Sequence, residues 1–115
     1  MNLNLIRGDT YVLTFTIIDN DGNPYILTEN DKCYFTVKKR FECENYIFQK
    51  QWLDGISYNA TTQKYEIQIA QNDTSDLPIS MYVYDIKVKI GTEIVKTLIK
   101  GTINIINNAT HRENE

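Results

Sequence analysis

Alternating apolar and polar positions along the chain predict a protein built from β-strands. The segment 11–19 shows this most clearly, with large apolar side chains at every second position: Tyr11, Leu13, Phe15 and Ile17. A period of two residues is typical of a strand with one buried face and one wetter face. The turn that follows contains Asp21, Gly22 and Asn23 and ends at Pro24. These residue types favour a tight hairpin connection.

The same alternation recurs and predicts seven or eight strands in all. The predicted segments are a short edge strand with Leu3 and Leu5, then strands within 11–19, 32–39, 45–53, 55–59, 64–69, 82–90 and 95–106. Residues 72–78 are expected to form one helical turn, capped by Asn72 or Asp73 and ended by Pro78. The last strand is expected to bend or bulge at Gly101. The residues expected to share one face of this strand are Val95, Thr97, Ile99, Gly101, Ile103 and Ile105.

Strands separated by turn signals roughly every 8–12 residues predict an all-β fold, either a sandwich or a small barrel. We expect an antiparallel immunoglobulin-like β-sandwich of about seven to eight strands. The chain has 115 residues, which suits one domain over residues 1–106 and a polar, disordered tail over 107–115. Leu77 and Pro78, followed by Tyr82 or Tyr84, resemble the tyrosine corner of such sandwiches, in which a tyrosine hydroxyl bonds backward across the corner.

Charge and hydropathy narrow the classes of partner. The formal net charge is −3, and the one basic cluster, Lys38-Lys39-Arg40, is followed by Glu42 and Glu44. Nucleic-acid binders gather basic residues on one face, so we interpret this cluster as a solvated strand end and expect no nucleic-acid partner. The first residues lack the basic start and apolar run of a signal peptide, and no run reaches transmembrane length. The sequence therefore predicts folding in the cytoplasm and no membrane partner.

The two cysteines lie ten residues apart, at Cys33 and Cys43. Cys33 shares a predicted face with Phe35 and Val37, which indicates a small buried side chain. Cys43 falls in a charged turn. A disulfide between the two is one alternative, and two free thiols in a reducing cytoplasm are the other. Neither a second cysteine pair nor a histidine cluster occurs, so we expect no zinc site.

The tripeptide Arg7-Gly8-Asp9 matches an integrin-binding motif, although three residues often recur by chance. We interpret it structurally. Gly8 is expected to allow a kink between two strands, and Asp9 or Thr10 is expected to cap the turn with a side-chain hydrogen bond.

Candidate metal ligands and catalytic residues do not combine into a known site. Asp19, Asp21 and Asn23 begin like a calcium loop, but the Glu that closes such a loop is absent, and we favour a hairpin turn. The sole histidine, His111, lies in the predicted tail without a nucleophile partner. Two acid pairs lie in polar turns that solvate them: Glu42 with Glu44, and Asp73 with Asp76. We therefore predict no catalytic residue, no cofactor, no metal and no enzyme activity.

Aromatic side chains are numerous for a chain of this size. The prominent ones are Tyr46, Trp52, Tyr58, Tyr65, Tyr82 and Tyr84. Half are predicted to face inward and to belong to the core. The alternative is that exposed members form a stacking platform for sugar rings or anchor a protein interface.

Eight segments follow one another in a particular order within residues 5–106. They are Arg7 to Thr10, Phe15 to Ile17, Asp19 to Pro24, Leu27-Thr28, Tyr34 to Lys38, Leu77-Pro78, Tyr82 to Ile86, and Lys100 to Ile103. This order resembles the N-terminal domain of the phage baseplate upper protein family and related small prophage modules. The resemblance implies a non-enzymatic structural protein of a tailed-bacteriophage virion, in baseplate, tail or head. Because those proteins continue into a fibre or receptor-binding part, a chain ending at Glu115 is expected to be an adaptor, decoration or connector subunit.

The resemblance also implies its partners, which are other virion proteins and further copies of the chain. A sandwich has edge strands whose unpaired backbone groups can accept a neighbouring strand. We expect these edges at Leu3–Ile6 and in the last strand, Ile99–Ile106. The predicted interface residues are Leu3, Leu5, Arg7, Ile99, Ile103 and Ile105. A carbohydrate-binding module and an immunoglobulin-like domain of a surface adhesin are the alternative interpretations.

Overall fold

The computed structural model describes residues 2–19, 21–91 and 94–107. Within these ranges it contains eight strands and one short helix, which confirms the predicted all-β class. In chain order the elements are β1 (Asn2–Ile6), β2 (Tyr11–Phe15), β3 (Lys32–Lys38), β4 (Phe48–Trp52), β5 (Gly55–Asn59), β6 (Lys64–Ile69), α1 (Gln71–Thr74), β7 (Ser80–Ile90) and β8 (Ile94–Ile106). The predicted tail lies outside the described residues except for Asn107.

The strands hydrogen-bond into one curled sheet with the order β1-β8-β7-β3-β4-β5-β6-β2. Most neighbours are antiparallel, but β1 runs parallel to β8, and β4 runs parallel to β5. The prediction that every pair is antiparallel is therefore wrong. Residues 7–10 connect β1 to β2, which lies at the far end of the strand order, and residues 53–54 connect β4 to β5.

The buried faces lie where the alternation predicts them. On β3, Cys33, Phe35 and Val37 are at most 1 % exposed. On β7 the inward residues are Tyr82, Tyr84, Ile86 and Val88. The same core cluster includes Leu5, Phe15, Ile17, Leu27, Ile56, Tyr65, Ile67, Ile69, Ile103 and Ile105. Burial of each large apolar side chain of this kind stabilises the fold by about 1.5–3 kcal/mol, so the core supplies the main driving force for folding.

Tyr65 on β6 holds together several parts of this core. Three aromatic rings lie within 5.5 Å of its ring centroid: Phe15, Trp52 and Tyr58. Its hydroxyl donates to the Tyr25 carbonyl and accepts a hydrogen bond from the Leu27 N–H, both at 2.8 Å. The segment between β2 and β3 is therefore attached to β6 by both packing and hydrogen bonds.

The expected backward hydrogen bond is made by Tyr82, whose hydroxyl donates to the Pro78 carbonyl at 2.8 Å. The helix α1 lies just before this corner. Its N-cap is Ala70, so the prediction of Asn72 or Asp73 as the cap is wrong. Asp73 still supports the helix start, because its carboxylate accepts the Ala70 N–H at 2.7 Å.

The irregularity in the last strand precedes Gly101 instead of falling on it. The β7–β8 register shifts between the residues that face Ile99 and Thr97, so Leu98 is the extra residue. The bulge moves Val95 and Thr97 off the face that carries Ile103 and Ile105, and both are exposed, contrary to the prediction that all six residues share one face. Leu98 is the one apolar residue among the alternate positions from Lys96 to Asn104, and this local break in the pattern was the signal for the bulge.

The predicted strand 11–19 is divided into β2 and a small hairpin. In the hairpin, the Tyr25 N–H donates to the Ile17 carbonyl at 2.8 Å. The Asp19 carboxylate accepts the N–H groups of Asp21 and Asn23, both at 2.9 Å. Asp19 thus caps its own turn, which supports the hairpin interpretation over a calcium loop. No helix in the described ranges is long and apolar enough to span a membrane.

Candidate interaction surface

The edge strands of the sheet are β1 and β2, which lie at the two ends of the strand order. The predicted edge at Leu3–Ile6 is confirmed. The prediction that Ile99–Ile106 forms an edge is wrong, because β8 pairs with β7 on one side and with β1 on the other. Asn2 and Thr102, which face each other across β1 and β8, are 100 positions apart in the chain. No local pattern reveals a pairing over such a distance.

A hydrogen bond joins the two edge strands where residues 7–10 connect them. The Tyr11 hydroxyl of β2 accepts the Ile6 N–H of β1 at 2.9 Å. Three apolar side chains of these two strands pack against the core but are only half-buried: Leu3, Tyr11 and Leu13. We call the residues Leu3, Ile6, Tyr11 and Leu13 the β1–β2 seam.

Backbone directions along β1 show which of its groups face outward. The Arg7 N–H donates to the Ile106 carbonyl of β8 at 2.9 Å. Successive residues of a strand point their backbone groups to opposite sides. The backbone N–H and C=O groups of Leu3 and Leu5 therefore also point toward β8, while those of the even-numbered residues point away from it. Ile6 is engaged by Tyr11, so within the described ranges the outward groups of Asn2 and Asn4 pair with no strand.

The solvent face of β1 is polar and uncharged. Thr102 donates through Oγ1 to Asn2 Oδ1 at 2.6 Å, and Asn104 donates through Nδ2 to Asn4 Oδ1 at 3.0 Å. These bonds fasten β1 to β8. Neither β1 nor β2 contains a charged residue or a proline. Native edge strands commonly carry Lys or Pro, which discourage pairing with another chain, and both edges lack that protection.

The six predicted interface residues do not form one surface. Three lie in the core at no more than 2 % exposure, where no partner can reach their side chains in the folded chain: Leu5, Ile103 and Ile105. Leu3 and Ile99 are half-buried, and Arg7 is exposed. The alternation identified one face correctly but could not show that this face is internal.

The tripeptide Arg7-Gly8-Asp9 is the crossing from β1 to β2, as the kink interpretation expected. Gly8 has a φ of 83°, and its N–H donates to the Oγ1 of buried Thr74 at 2.9 Å. Arg7 donates through Nη1 to the Leu77 carbonyl at 3.2 Å. The turn is closed by a backbone bond from the Asp9 N–H, at 3.2 Å from the Ile6 carbonyl, and not by the side-chain cap that we expected.

A small apolar patch on the outer face lies close to β1. Ile79, Met81 and Ile106 are 43 %, 59 % and 40 % exposed. Met81 faces Asn104 across the β7–β8 ladder, and Ile106 faces Ile6 across β1 and β8. This patch was not predicted from the sequence, although Met81 directly precedes the inward position of Tyr82 and therefore falls on the outward face of the strand.

The aromatic side chains serve mainly the core. Of the six prominent ones, Tyr46 is exposed at 54 %, whereas Tyr65, Tyr82 and Tyr84 are buried. Trp52 and Tyr58 are half-buried against Tyr65, and the Trp52 Nε1–H donates to the Thr28 carbonyl at 3.1 Å. Five of the six side chains that a sugar-stacking platform could use are therefore engaged in packing.

Asp31 is a buried carboxylate that the sequence analysis did not single out. It is 6 % exposed, and its oxygens accept hydrogen bonds from the Thr28 N–H, the Gly91 N–H, the Thr28 hydroxyl and the Tyr25 hydroxyl. These donors, above all the Thr28 N–H, hold the pKa of Asp31 below its ordinary value despite burial. The group is satisfied structurally, and the spacing Thr28-x-x-Asp31 was the signal for it.

Both cysteines are free thiols, so the disulfide alternative is not realised. Cys33 is fully buried, and burial raises the pKa of its thiol to about 12. Cys43 is only partly buried, and its carbonyl accepts a hydrogen bond from Lys38 Nζ at 2.7 Å.

The acidic side chains do not converge on a common centre. The described ranges contain no group of three or more His, Cys, Asp and Glu residues that could hold a metal ion. Asp73 forms an ion pair with Lys50 at 2.7 Å, while Asp76, Glu42 and Glu44 are exposed. His111 lies outside the described residues.

The geometry is suited to binding another polypeptide at a strand edge. An uncharged edge with outward backbone groups lies beside a half-covered apolar seam, and both are on the surface. A scan against protein-family models matched no family, and a search of curated proteins found no match.

Proposed function

We propose that this chain is a non-enzymatic structural subunit of a tailed-bacteriophage virion, acting in baseplate, tail or head through protein–protein contacts. The observation that carries the proposal is the unprotected β1 edge next to the β1–β2 seam. Exposed strand edges without Lys or Pro readily pair with other chains, and isolated proteins usually avoid them. A subunit that works inside an assembly has a use for such an edge.

We also infer an immunoglobulin-like arrangement for the curled sheet. The order β8-β7-β3-β4 is what strands G, F, C and C′ of such a sandwich would give, and β2-β6-β5 corresponds to B, E and D. The Tyr82–Pro78 bond lies at the start of β7, which is where the tyrosine corner of strand F is found. The parallel strand β1 would then be a short first strand added to the larger sheet.

The segments that resemble the phage family support the virion assignment through their positions. Arg7 to Thr10 forms the crossing between the edge strands, and Asp19 to Pro24 spans the turn of the small hairpin. Tyr34 to Lys38 lies in β3, and Tyr82 to Ile86 lies in β7. Each of these four segments thus coincides with an element or connection that defines the topology.

The proposal is tested by locating the chain in particles from its native source. An antibody against the purified protein is applied to fractions of a phage lysate separated by density, and then to the particles in electron microscopy. We expect the antigen to sediment with intact particles and to label one symmetric position on them. A host cytoplasmic protein of similar mass serves as the control for trapping. Recovery of the antigen only among free host proteins would contradict the proposal.

A further inference from the structure

We propose that the β1 edge binds a second copy of this chain, the two β1 strands pairing antiparallel about a two-fold axis that passes between their Leu3 residues. The proposal rests on the proposed function only for its biological setting, which is contact between subunits of an assembly. The geometry of β1 itself supplies the arguments for the partner and for the register.

The register follows from which backbone groups are available. Asn2 and Asn4 point their N–H and C=O groups outward, whereas the Ile6 N–H is already bound by Tyr11. An antiparallel partner must therefore exchange hydrogen bonds with Asn2 and Asn4 alone. With a second β1, that condition is met when Asn2 of one copy faces Asn4 of the other. Leu3 then faces Leu3, and the arrangement is self-complementary, as a two-fold interface requires.

The side chains agree with this register. Leu3 occupies a non-hydrogen-bonded pair, the type in which facing side chains lie closest together. Leu3 is on the inner face and is only half-buried in the single chain, so pairing would cover the part that remains exposed. On the outer face, Asn2 would lie beside Asn4 of the second copy, which brings polar amides together and no charges.

Electrostatics do not oppose a like partner at the β1 edge. The chain carries a formal net charge of −3, yet neither β1 nor β2 bears a charged side chain, so the two edges can meet without local repulsion.

The contact is small, and this determines how it must be measured. Two short edge strands bury less than the roughly 800 Å² per partner of a standard interface. We therefore expect a dissociation constant on the order of 0.1 mM for the isolated pair. In a symmetric particle, other contacts would raise the effective concentration and make this pairing persistent.

The first experiment measures solution mass by light scattering or sedimentation equilibrium between about 0.01 and 1 mM, the range that spans the expected dissociation constant. The expected result is a rise from the 13.4 kDa monomer toward twice that mass. Leu3→Lys should abolish the rise, because two lysines would face each other at the axis. Ser57→Lys, at an exposed position of β5, makes the same charge addition away from the edge and should leave the rise intact. A monomer mass throughout the range, or an unchanged rise in L3K, would overturn the proposal.

The second experiment tests the register and does not depend on how well L3K folds. In a Cys43→Ser background, Leu3→Cys is expected to form a covalent dimer under mild oxidation, since facing Cα atoms at such pairs lie about 4.5 Å apart. Asn4→Cys is the matched control. Position 4 would face position 2 of the other copy, so two such cysteines lie beyond the distance of about 7 Å that a disulfide can bridge. Equal crosslinking at both positions, or none at position 3, would overturn the proposed pairing.

The two proposals can fail separately. If the chain is found in particles but stays monomeric at the highest concentration, the virion role stands and the second copy is excluded as the partner at β1. In that case a strand of a different virion protein becomes the occupant to test. If the chain dimerises as expected but never appears in particles, the self-pairing stands and the virion role falls.

Discussion

Asp31, directly before β3, accepts a hydrogen bond from the backbone N–H of Gly91 at 2.9 Å, across 60 positions of the chain. The same carboxylate binds the Thr28 N–H at 2.9 Å, so one buried side chain joins the loop before β3 to the turn after β7. A buried carboxylate costs free energy unless it is satisfied, and here several donors satisfy it. This relationship leads to two predictions.

Replacing Asp31 by Asn is expected to lower the free energy of unfolding by about 2 kcal/mol, because charge-assisted hydrogen bonds are lost and one amide hydrogen is left facing a donor. Urea denaturation at pH 7, followed by Trp52 fluorescence, measures the change. Asp76→Asn is the matched control, since this aspartate is exposed, and it should change stability by no more than about 0.5 kcal/mol. Equal effects of the two substitutions would contradict the role given to Asp31.

The Asp31 carboxylate should also make the free energy of unfolding depend on pH in the acid range. The pKa of Asp31 in the folded chain is held below the ordinary value of 3.8, so the folded state favours the ionised carboxylate more than the unfolded state does. The contribution is therefore fully present above the unfolded pKa and is lost as the pH falls through the lower, folded value. Urea titrations from pH 6 to pH 2.5 should show the difference between wild type and Asp31→Asn shrinking at the acid end. A difference that is constant over this range would be inconsistent with the assignment.

The Tyr65 hydroxyl provides a third prediction. Tyr65→Phe keeps the ring contacts but removes the acceptor of the Leu27 N–H and the donor to the Tyr25 carbonyl. Leaving a buried N–H without a partner costs about 1–3 kcal/mol, and we expect a destabilisation of that size. Tyr46→Phe removes an exposed hydroxyl and should be nearly neutral. Thermal denaturation of both variants measures the two changes, and equal stability of Tyr65→Phe and Tyr46→Phe would contradict the role of the Tyr65 hydroxyl.

The corner before β7 can be tested in the same way. Tyr82→Phe removes the bond to the Pro78 carbonyl and is expected to cost about 1 kcal/mol. Tyr84→Phe is a close control, because Tyr84 is buried on the same face of β7 and its hydroxyl makes no hydrogen bond within the described ranges. An equal decrease in the free energy of unfolding for both variants would contradict a specific contribution from the Tyr82–Pro78 hydrogen bond.

Thiol reactivity should separate the two cysteines. Burial raises the pKa of Cys33 to about 12, and the side chain is fully buried, so the reactive thiolate is scarce and out of reach. Iodoacetamide at pH 8 is expected to modify only Cys43 in the native protein and both thiols in urea, which intact mass spectrometry distinguishes. Rapid native modification of two thiols would contradict the buried position of Cys33.

The extent to which the candidate surface could be predicted differs between its two edge strands. Leu3 and Leu5 between asparagines marked β1 as a short strand, and its edge position followed from that. β2 was recognised as a strand but not as the second edge. The Tyr11 hydroxyl that closes over Ile6 could not be anticipated, because an amphipathic tyrosine at an inward position looks like any other core residue.

The sequence alone determined the element types and most of the inward faces, because side-chain alternation is a local property of each strand. Cys33, Phe35 and Val37 on β3, and Tyr82 to Val88 on β7, are examples. The tertiary structure decided which strands are neighbours, where Leu98 interrupts the register, and that β1 lies between β8 and solvent. Those features depend on pairings between distant segments, such as Asn2 with Thr102. Such a pairing is stabilised only in the assembled sheet, so neither segment shows it in its own sequence.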